Sequence, residues 1–206
     1  MNPRLPELLA EIKQQGVEND KRETNHGRRM LNLEPDTAQL LSILVRSSRA
    51  TRVLEVGTSN GYSTIWLASA VAEAGGRVIS IDRNPEKQAM ARENLRRAGL
   101  IDSVDLRLGE ASAVVRELDG PFDLVFFDGD RTSAPEQLRL LLPKLASSVL
   151  VVADNVLSHP REIARYLAAV EKLEGFDHVV VPIGKGLSLA YRGSPGVRLE
   201  PTAGKC

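Results

Sequence analysis

Cysteine is almost missing from this chain, and so are net charge, long apolar runs and internal repeats. The only cysteine is Cys206, the last residue, which excludes an intrachain disulfide and a cysteine-rich metal site. With 27 basic side chains against 27 acidic ones, the chain does not grip nucleic acid through bulk electrostatics, although a local patch stays open. No apolar run approaches a membrane span, and the opening MNPRLPELLAEIKQQ has no signal core; a cytoplasmic protein with no membrane partner is the expectation. What the chain does have is an ordinary globular balance, 42% hydrophobic and 26% charged. Its 206 residues are enough for one domain to bury a proper core.

Two textures divide it. Residues 1–50 read as helical, with Leu5, Leu8, Leu9 and Ile12 at helix spacing, then a polar stretch from Glu18 to Arg29. Glu34-Pro35-Asp36 then opens a second helix carrying Leu40, Leu41, Ile43 and Leu44. From Thr51 short apolar runs alternate with amphipathic stretches. The runs are Arg52–Val56, Arg77–Ile81, Val104–Leu108, Phe122–Phe127, Val149–Ala153, His178–Ile183 and Leu187–Tyr191. Helical segments are expected at Tyr62–Ala74, Glu86–Ala98, Ala111–Leu118, Pro135–Leu145 and Glu162–Leu173. That alternation predicts βαβ units and a parallel sheet covered on both faces. Only Gly184-Lys185-Gly186 separates the last two runs, so they form an antiparallel hairpin. Residues 193–206 read as a loose tail. The expected class is α/β, a single doubly wound domain with a short helical N-terminal layer over a core spanning 51–192.

In such sheets ligands bind beyond the carboxyl ends of the strands, near the topological switch. The first run passes into Gly57-Thr58-Ser59-Asn60-Gly61 and then a helix; the two glycines permit a tight turn with a ligand close to the main chain. The spacing is not the G-x-G-x-x-G of a dinucleotide site. It does spell G-x-S-x-G, so Ser59 with Asp128 or Asp154 and then His159 or His178 has the chain order of a hydrolase triad. Against that reading, such an elbow should follow several strands, one of them leading into an oxyanion loop, whereas residues 1–50 read as helical and contain no such loop. Asp82, closing the second run, reads as a ribose acceptor or as a helix cap, and the glycine-rich loop before it favours the nucleoside. Gly109-Glu110-Ala111 leaves room for a flat ring. Asp128, Asp154 and Asn155 bring oxygen donors to one crevice, which suits a hard cation such as Mg²⁺ or, failing that, two capped turns. Trp66, His26 and His178 read as packing or surface groups.

As a set, LEVGTSNGYST (Leu54–Thr64), Asp82, Gly109-Glu110-Ala111, FFDGDR (Phe126–Arg131), ADNV (Ala153–Val156) and PIGKGLSLA (Pro182–Ala190) resemble the cation-dependent class I O-methyltransferases, as does MLNLEPDTAQLL (Met30–Leu41) upstream. That group contains catechol and caffeoyl-CoA O-methyltransferases and many bacterial relatives. The resemblance implies a Rossmann-like, seven-stranded, mostly parallel sheet whose last strand is antiparallel. It implies an S-adenosylmethionine site with Glu55, Gly57, Thr58, Ser59 and Ser63 on the methionine side and Leu33 closing over it. Asp82 is then on the ribose, and Glu110 and Ala111 on the adenine. It makes Asp128, Asp154 and Asn155 the metal ligands, with Asp128 also near the cofactor and catalytic. Arg131 stands where the family has its proposed base, a lysine. Arginine keeps its proton, so Arg131 is expected to stabilise developing negative charge instead. The acceptor implied is a small aromatic molecule with vicinal hydroxyls, and the chain is expected to be a homodimer. The alternatives are a tRNA hydroxyuridine acceptor, for which Lys21-Arg22 and Arg28-Arg29 are the candidate contacts, and a cofactor-binding protein without catalysis.

Overall fold

The structure, a computed structural model, describes residues 4–193. The expected tail lies, from Ser194 onward, outside the described residues. Helix α1 (Leu5–Arg22) runs five residues into the stretch read as polar, because Glu18 to Arg22 continue a helix whose apolar face has already been supplied by Leu5, Leu8, Leu9 and Ile12. Helix α2 (Pro35–Ser48) follows, with proline in its first turn.

Then come β1 (Arg52–Val56), α3 (Tyr62–Ala72), β2 (Arg77–Asp82), α4 (Pro85–Ala98), β3 (Val104–Leu108) and α5 (Ala111–Glu117). The remainder is β4 (Phe122–Phe127), α6 (Ala134–Leu141), β5 (Leu145–Ala153), α7 (Pro160–Val170), β6 (Asp177–Val181) and β7 (Leu187–Arg192). The sixth helix stops at Leu141 and a 3₁₀ turn carries Leu142–Lys144, so β5 starts four residues before the expected Val149.

The seven strands form one sheet in the order β3-β2-β1-β4-β5-β7-β6. Strands β1 to β5 pair in parallel, and β7 runs antiparallel to both β5 and β6. Strand alternation assigns the two faces. Val53, Val78, Leu124 and Phe126 join a core with α1 to α4, while Leu54, Val56, Val125, Phe127 and Val151 join a second core with α5 to α7. The order reverses between β1 and β4, and that seam is where the ligand-binding crevice of a doubly wound sheet opens.

Candidate functional site

Register places the central residues. Val56 lies beside Phe127, and Phe127 beside Ala153. The next residue of each strand, Gly57, Asp128 and Asp154, therefore comes out of the sheet in one row. Two more backbone bonds extend the ladder: Asp128 N donates to the Val56 carbonyl at 2.8 Å, and Asp154 N to the Phe127 carbonyl at 3.0 Å. Gly57 sits at φ +109°, and a Cβ there would drive into the Asp128 carbonyl, so a side chain is barred on two counts.

Above this row lies a cleft of about 1180 Å³, which runs from the loop after β1, past the ends of β2 and β3, to Arg131 and Lys185. Gly57, Thr58, Ser59 and Ser63 line it. Asp82 does too, with both carboxylate oxygens already accepting backbone N–H groups, from Ser59 at 2.8 Å and Asn84 at 2.9 Å. Asn84, not Asp82, is the cap of α4, its side chain accepting from Glu86 N at 2.9 Å and Lys87 N at 3.2 Å, which corrects the cap reading of Asp82. Asp82 shapes its own turn, and an ionised carboxylate has lone pairs left for a diol. Glu110 caps α5 by accepting from Ala113 N at 3.0 Å, and with Ala111 forms the far wall.

Glu55 does not lie on that wall. Alternation along β1 turns it under the cleft, fully buried, where Ser63 donates to it at 2.6 Å and Thr64 and Ser80 each at 2.5 Å. Burial outweighs those three donors and lifts its carboxyl to about 7. It supports the cleft through Ser63, which has a place on the wall, and the expectation that Glu55 itself faces a ligand is corrected accordingly.

A strap, residues 23–33, crosses over the glycine-rich loop. Asp20 accepts from Met30 N at 2.6 Å and Leu31 N at 2.9 Å. Ser59 Oγ donates to the Met30 carbonyl at 2.7 Å, and Lys87 Nζ to the Arg29 carbonyl at 2.6 Å. Leu33 is buried at the end of the strap and faces the cleft.

At the other end stand the two aspartates. Burial, and then Asp154, push the Asp128 carboxyl well up; burial above all lifts Asp154 to about 6. Asn155, at φ +65°, turns its amide back onto Asp128, with Nδ2 donating to Oδ1 at 3.1 Å. Asp154 is not on the main wall. It lines a small recess beside Arg131, and its Oδ1 is buried without a hydrogen-bond partner. Like charges raised together, beside an orphaned carboxylate oxygen, form a donor set that a hard cation would neutralise. Asn155 would offer its oxygen by an amide flip. Among the described residues no three of His, Cys, Asp and Glu converge, so such a set consists of two carboxylates and one amide.

Around the pair are two ion pairs that sequence reasoning did not foresee. Arg131 Nε is 2.9 Å from Glu162, and Lys185 Nζ is 2.9 Å from Glu34. Lys185 was visible in the sequence as the middle of a three-residue turn, with no role attached to it. The hydrolase arrangement is absent: Ser59 Oγ is spent on the Met30 carbonyl, His159 pairs with Ser158 at 2.8 Å and His178 with Ser188 at 2.9 Å.

Known proteins share this layout. A catechol O-methyltransferase of Niastella koreensis is 36% identical over 131 residues, covering 62% of this chain and 59% of its own. One from Mycobacterium tuberculosis is 38% identical over 120 residues, covering 58% and 54%. Each alignment thus spans less than two thirds of the relative's length. The O-methyltransferase from Bacillus cereus, solved in complex with SAH, superposes with a TM-score of 0.78 at 26% identity over 90% of either chain. A sequence model of the O-methyltransferases matches residues 4–192, from the first turn of α1 to the end of β7, and the chain belongs to that family.

Proposed function

We propose that the chain is an S-adenosylmethionine-dependent, divalent-cation-dependent O-methyltransferase that methylates one of two vicinal hydroxyls on a small, catechol-like acceptor. The observation that carries this reading is the Asp128–Asp154 pair at the switch of the sheet, with an unpartnered oxygen, next to a cleft whose loop and acid suit a nucleoside. The catechol O-methyltransferases among its relatives and the SAH complex of its structural neighbour support the same chemistry.

When bound, S-adenosylmethionine supplies a methyl group on a sulfonium, and a divalent cation favours the ionised form of a phenol that otherwise titrates near pH ~10. The chain supplies the positioning. Asp82 takes the ribose hydroxyls, Gly57 to Ser59 and Ser63 border the methionine side, and Glu110 and Ala111 border the adenine. Asp128, Asp154 and Asn155 hold the cation. In-line displacement requires the acceptor oxygen, methyl carbon and sulfur to be aligned, so holding both molecules in one rigid cleft provides much of the rate. Arg131 stays charged and stabilises the acceptor oxyanion. The acceptor's proton leaves to water or to His159, whose Nδ1 is engaged by Ser158 while Nε2 is not. Homodimerisation and a cytoplasmic setting belong to this proposal as well.

A second reading, a hydroxylated uridine of tRNA as acceptor, draws on Arg28 and Arg83, both exposed at the cleft mouth, and on Tyr62 being the one Phe, Tyr or Trp among the described residues that line the cleft. The primary test is transfer of labelled methyl from S-adenosylmethionine to caffeic acid with Mg²⁺ and again with EDTA. Transfer abolished by EDTA is the expected result. Transfer indifferent to EDTA would sink the cation part, and no transfer by protein that binds the methyl donor would sink the catechol part.

A further inference from the structure

The Asp128–Asp154 pair has an ammonium for company. Lys185 sits in the turn between β6 and β7, and that turn is stitched to the chain just past Asp154 and Asn155. The Lys185 carbonyl accepts from Leu157 N at 2.9 Å and Ser158 N at 3.2 Å, and the Gly186 carbonyl accepts from Val156 N at 3.1 Å. Its backbone is thereby held in a set relation to the end of β5. Its side chain is held from another element: Nζ meets Glu34 Oε1 at 2.9 Å, at the cap of α2. Gly184, at φ +54°, leaves Glu34 and Thr37 no space to spare, since a Cβ there would stand 3.0 Å from Glu34 Oε2 and closer still to Thr37 Oγ1. Glu34 Oε2, Thr37 Oγ1 and Asp154 Oδ1 are all buried without hydrogen-bond partners.

The charges that act most strongly on the pair come from several elements. Asp128 feels Asp154, Glu55, Lys185 and Glu34; Asp154 feels Glu34, Lys185 and Arg131. Burial works against the Lys185 ammonium, but Glu34, Asp154 and Asp128 outweigh it and hold the group above its ordinary value, so it keeps its charge through the neutral range. A positive charge on the wall of the same cleft as Asp128 and Asn155 lowers the cost of ionising the two carboxylates and competes electrostatically with any cation that comes to them.

We propose that Lys185, braced by Glu34, is a built-in counter-charge to Asp128 and Asp154 that weakens this chain's hold on a divalent cation. The inference rests on the cation reading of that pair. It also assigns Glu34 a part: by bracing the ammonium from the α2 side, it couples the N-terminal layer to the metal end of the cleft.

The test is Mn²⁺ binding to the full chain, followed by electron paramagnetic resonance of the free ion, without methyl donor or acceptor. Lys185→Met is expected to tighten Mn²⁺ binding about fivefold, the size of effect that one unit charge has at a partly solvated site. Lys185→Arg, which keeps the charge, and Lys172→Met, which removes an exposed lysine of the α7–β6 connection, are expected to stay within about twofold of the parent. An unchanged or weaker affinity in Lys185→Met would overturn the proposal, as would equal tightening in Lys172→Met, which marks a bulk-charge effect. Asp154→Asn separates the underlying reading. If the parent and Asp154→Asn bind Mn²⁺ alike, or neither the parent nor Lys185→Met binds it, the pair is not a cation site and both ideas fall together.

Discussion

Glu55 is a carboxyl without water around it and with three hydroxyls aimed at it, and its burial carries it from 4.5 to about 7. Between those values the folded chain keeps a proton that the unfolded chain releases. Stability conferred in that window is therefore lost as pH rises toward 7, on the order of 3 kcal/mol for a shift of this size. Urea unfolding of Glu55→Gln against the parent at pH 5 and pH 8 is expected to show the variant gaining relative stability at the higher pH, and parallel curves would refute it. Arg131 makes a different kind of prediction. If its guanidinium stabilises an oxyanion, Arg131→Ala loses on the order of a hundredfold in kcat, whereas Arg131→Lys retains most of the rate. Unchanged turnover in Arg131→Ala would remove it from the chemistry. Asp82, Asp128 and Asp154, with Asn155 one residue on, were legible from the chain because they stand at the ends of apolar runs, and the strand ends of a doubly wound sheet are where function collects. Glu34 with Lys185, and Arg131 with Glu162, were not legible. Those pairings depend on where β7 enters the sheet and where α7 comes to rest, and neither follows from local pattern.

At the level of elements, the strands were the readable part. Continuous Val, Ile, Leu and Phe runs have few alternatives, and the short connection between β6 and β7, read as three residues and found to be five, dictated an antiparallel pair. Helix ends were harder to read. Helix α1 outruns its apolar stripe because nothing in Glu18 to Arg22 stops a helix, and α6 gives way early because Leu142-Pro143 tightens into a 3₁₀ turn. The strap had little sequence signature beyond Met30 to Leu33, which the resemblance placed over the cleft. It has no regular structure beyond a single 3₁₀ turn at His26–Arg28, and Leu31 is held at φ +51°. Much of its order comes from Asp20 on α1, Ser59 in the loop after β1 and Lys87 on α4. Asp20 is the hinge of that arrangement, because one carboxylate satisfies two consecutive amides. Asp20→Ala is therefore expected to loosen the strap without touching the sheet. Calorimetry should show S-adenosylmethionine binding weakened about tenfold, and amide exchange should accelerate at Met30 and Leu31. Equal affinity with fast exchange would mean that the strap covers the cleft but contributes nothing to holding the ligand.

For the molecule as a whole, zero net charge is the property that bears most on the choice of acceptor. The cleft mouth carries Arg28, Arg83 and Lys87, yet Asp82, Glu86 and Asp130 stand among them, and Lys87 spends its ammonium on the Arg29 carbonyl. Lys21 and Arg22 close α1, and Arg22 reaches back to the Glu18 carbonyl at 3.1 Å, as a cation at a helix C-terminus does. The basic residues are thus interleaved with acids and backbone oxygens and do not form a continuous stripe. A chain that recognised RNA by neutralising six phosphates would lose about a thousandfold in affinity between about 50 and 200 mM salt. A small acceptor held by ion pairs at one end of a cleft displaces few counterions. For a catechol acceptor, kcat/KM is therefore expected to change by less than about threefold across that range, measured with Mg²⁺ and S-adenosylmethionine saturating. The same titration with hypomodified tRNA as acceptor discriminates the two readings. A steep loss of turnover with salt, on tRNA alone, would show that the exposed arginines at the mouth act together as a phosphate contact despite the neutral total, and would move the acceptor from the small-molecule class to nucleic acid.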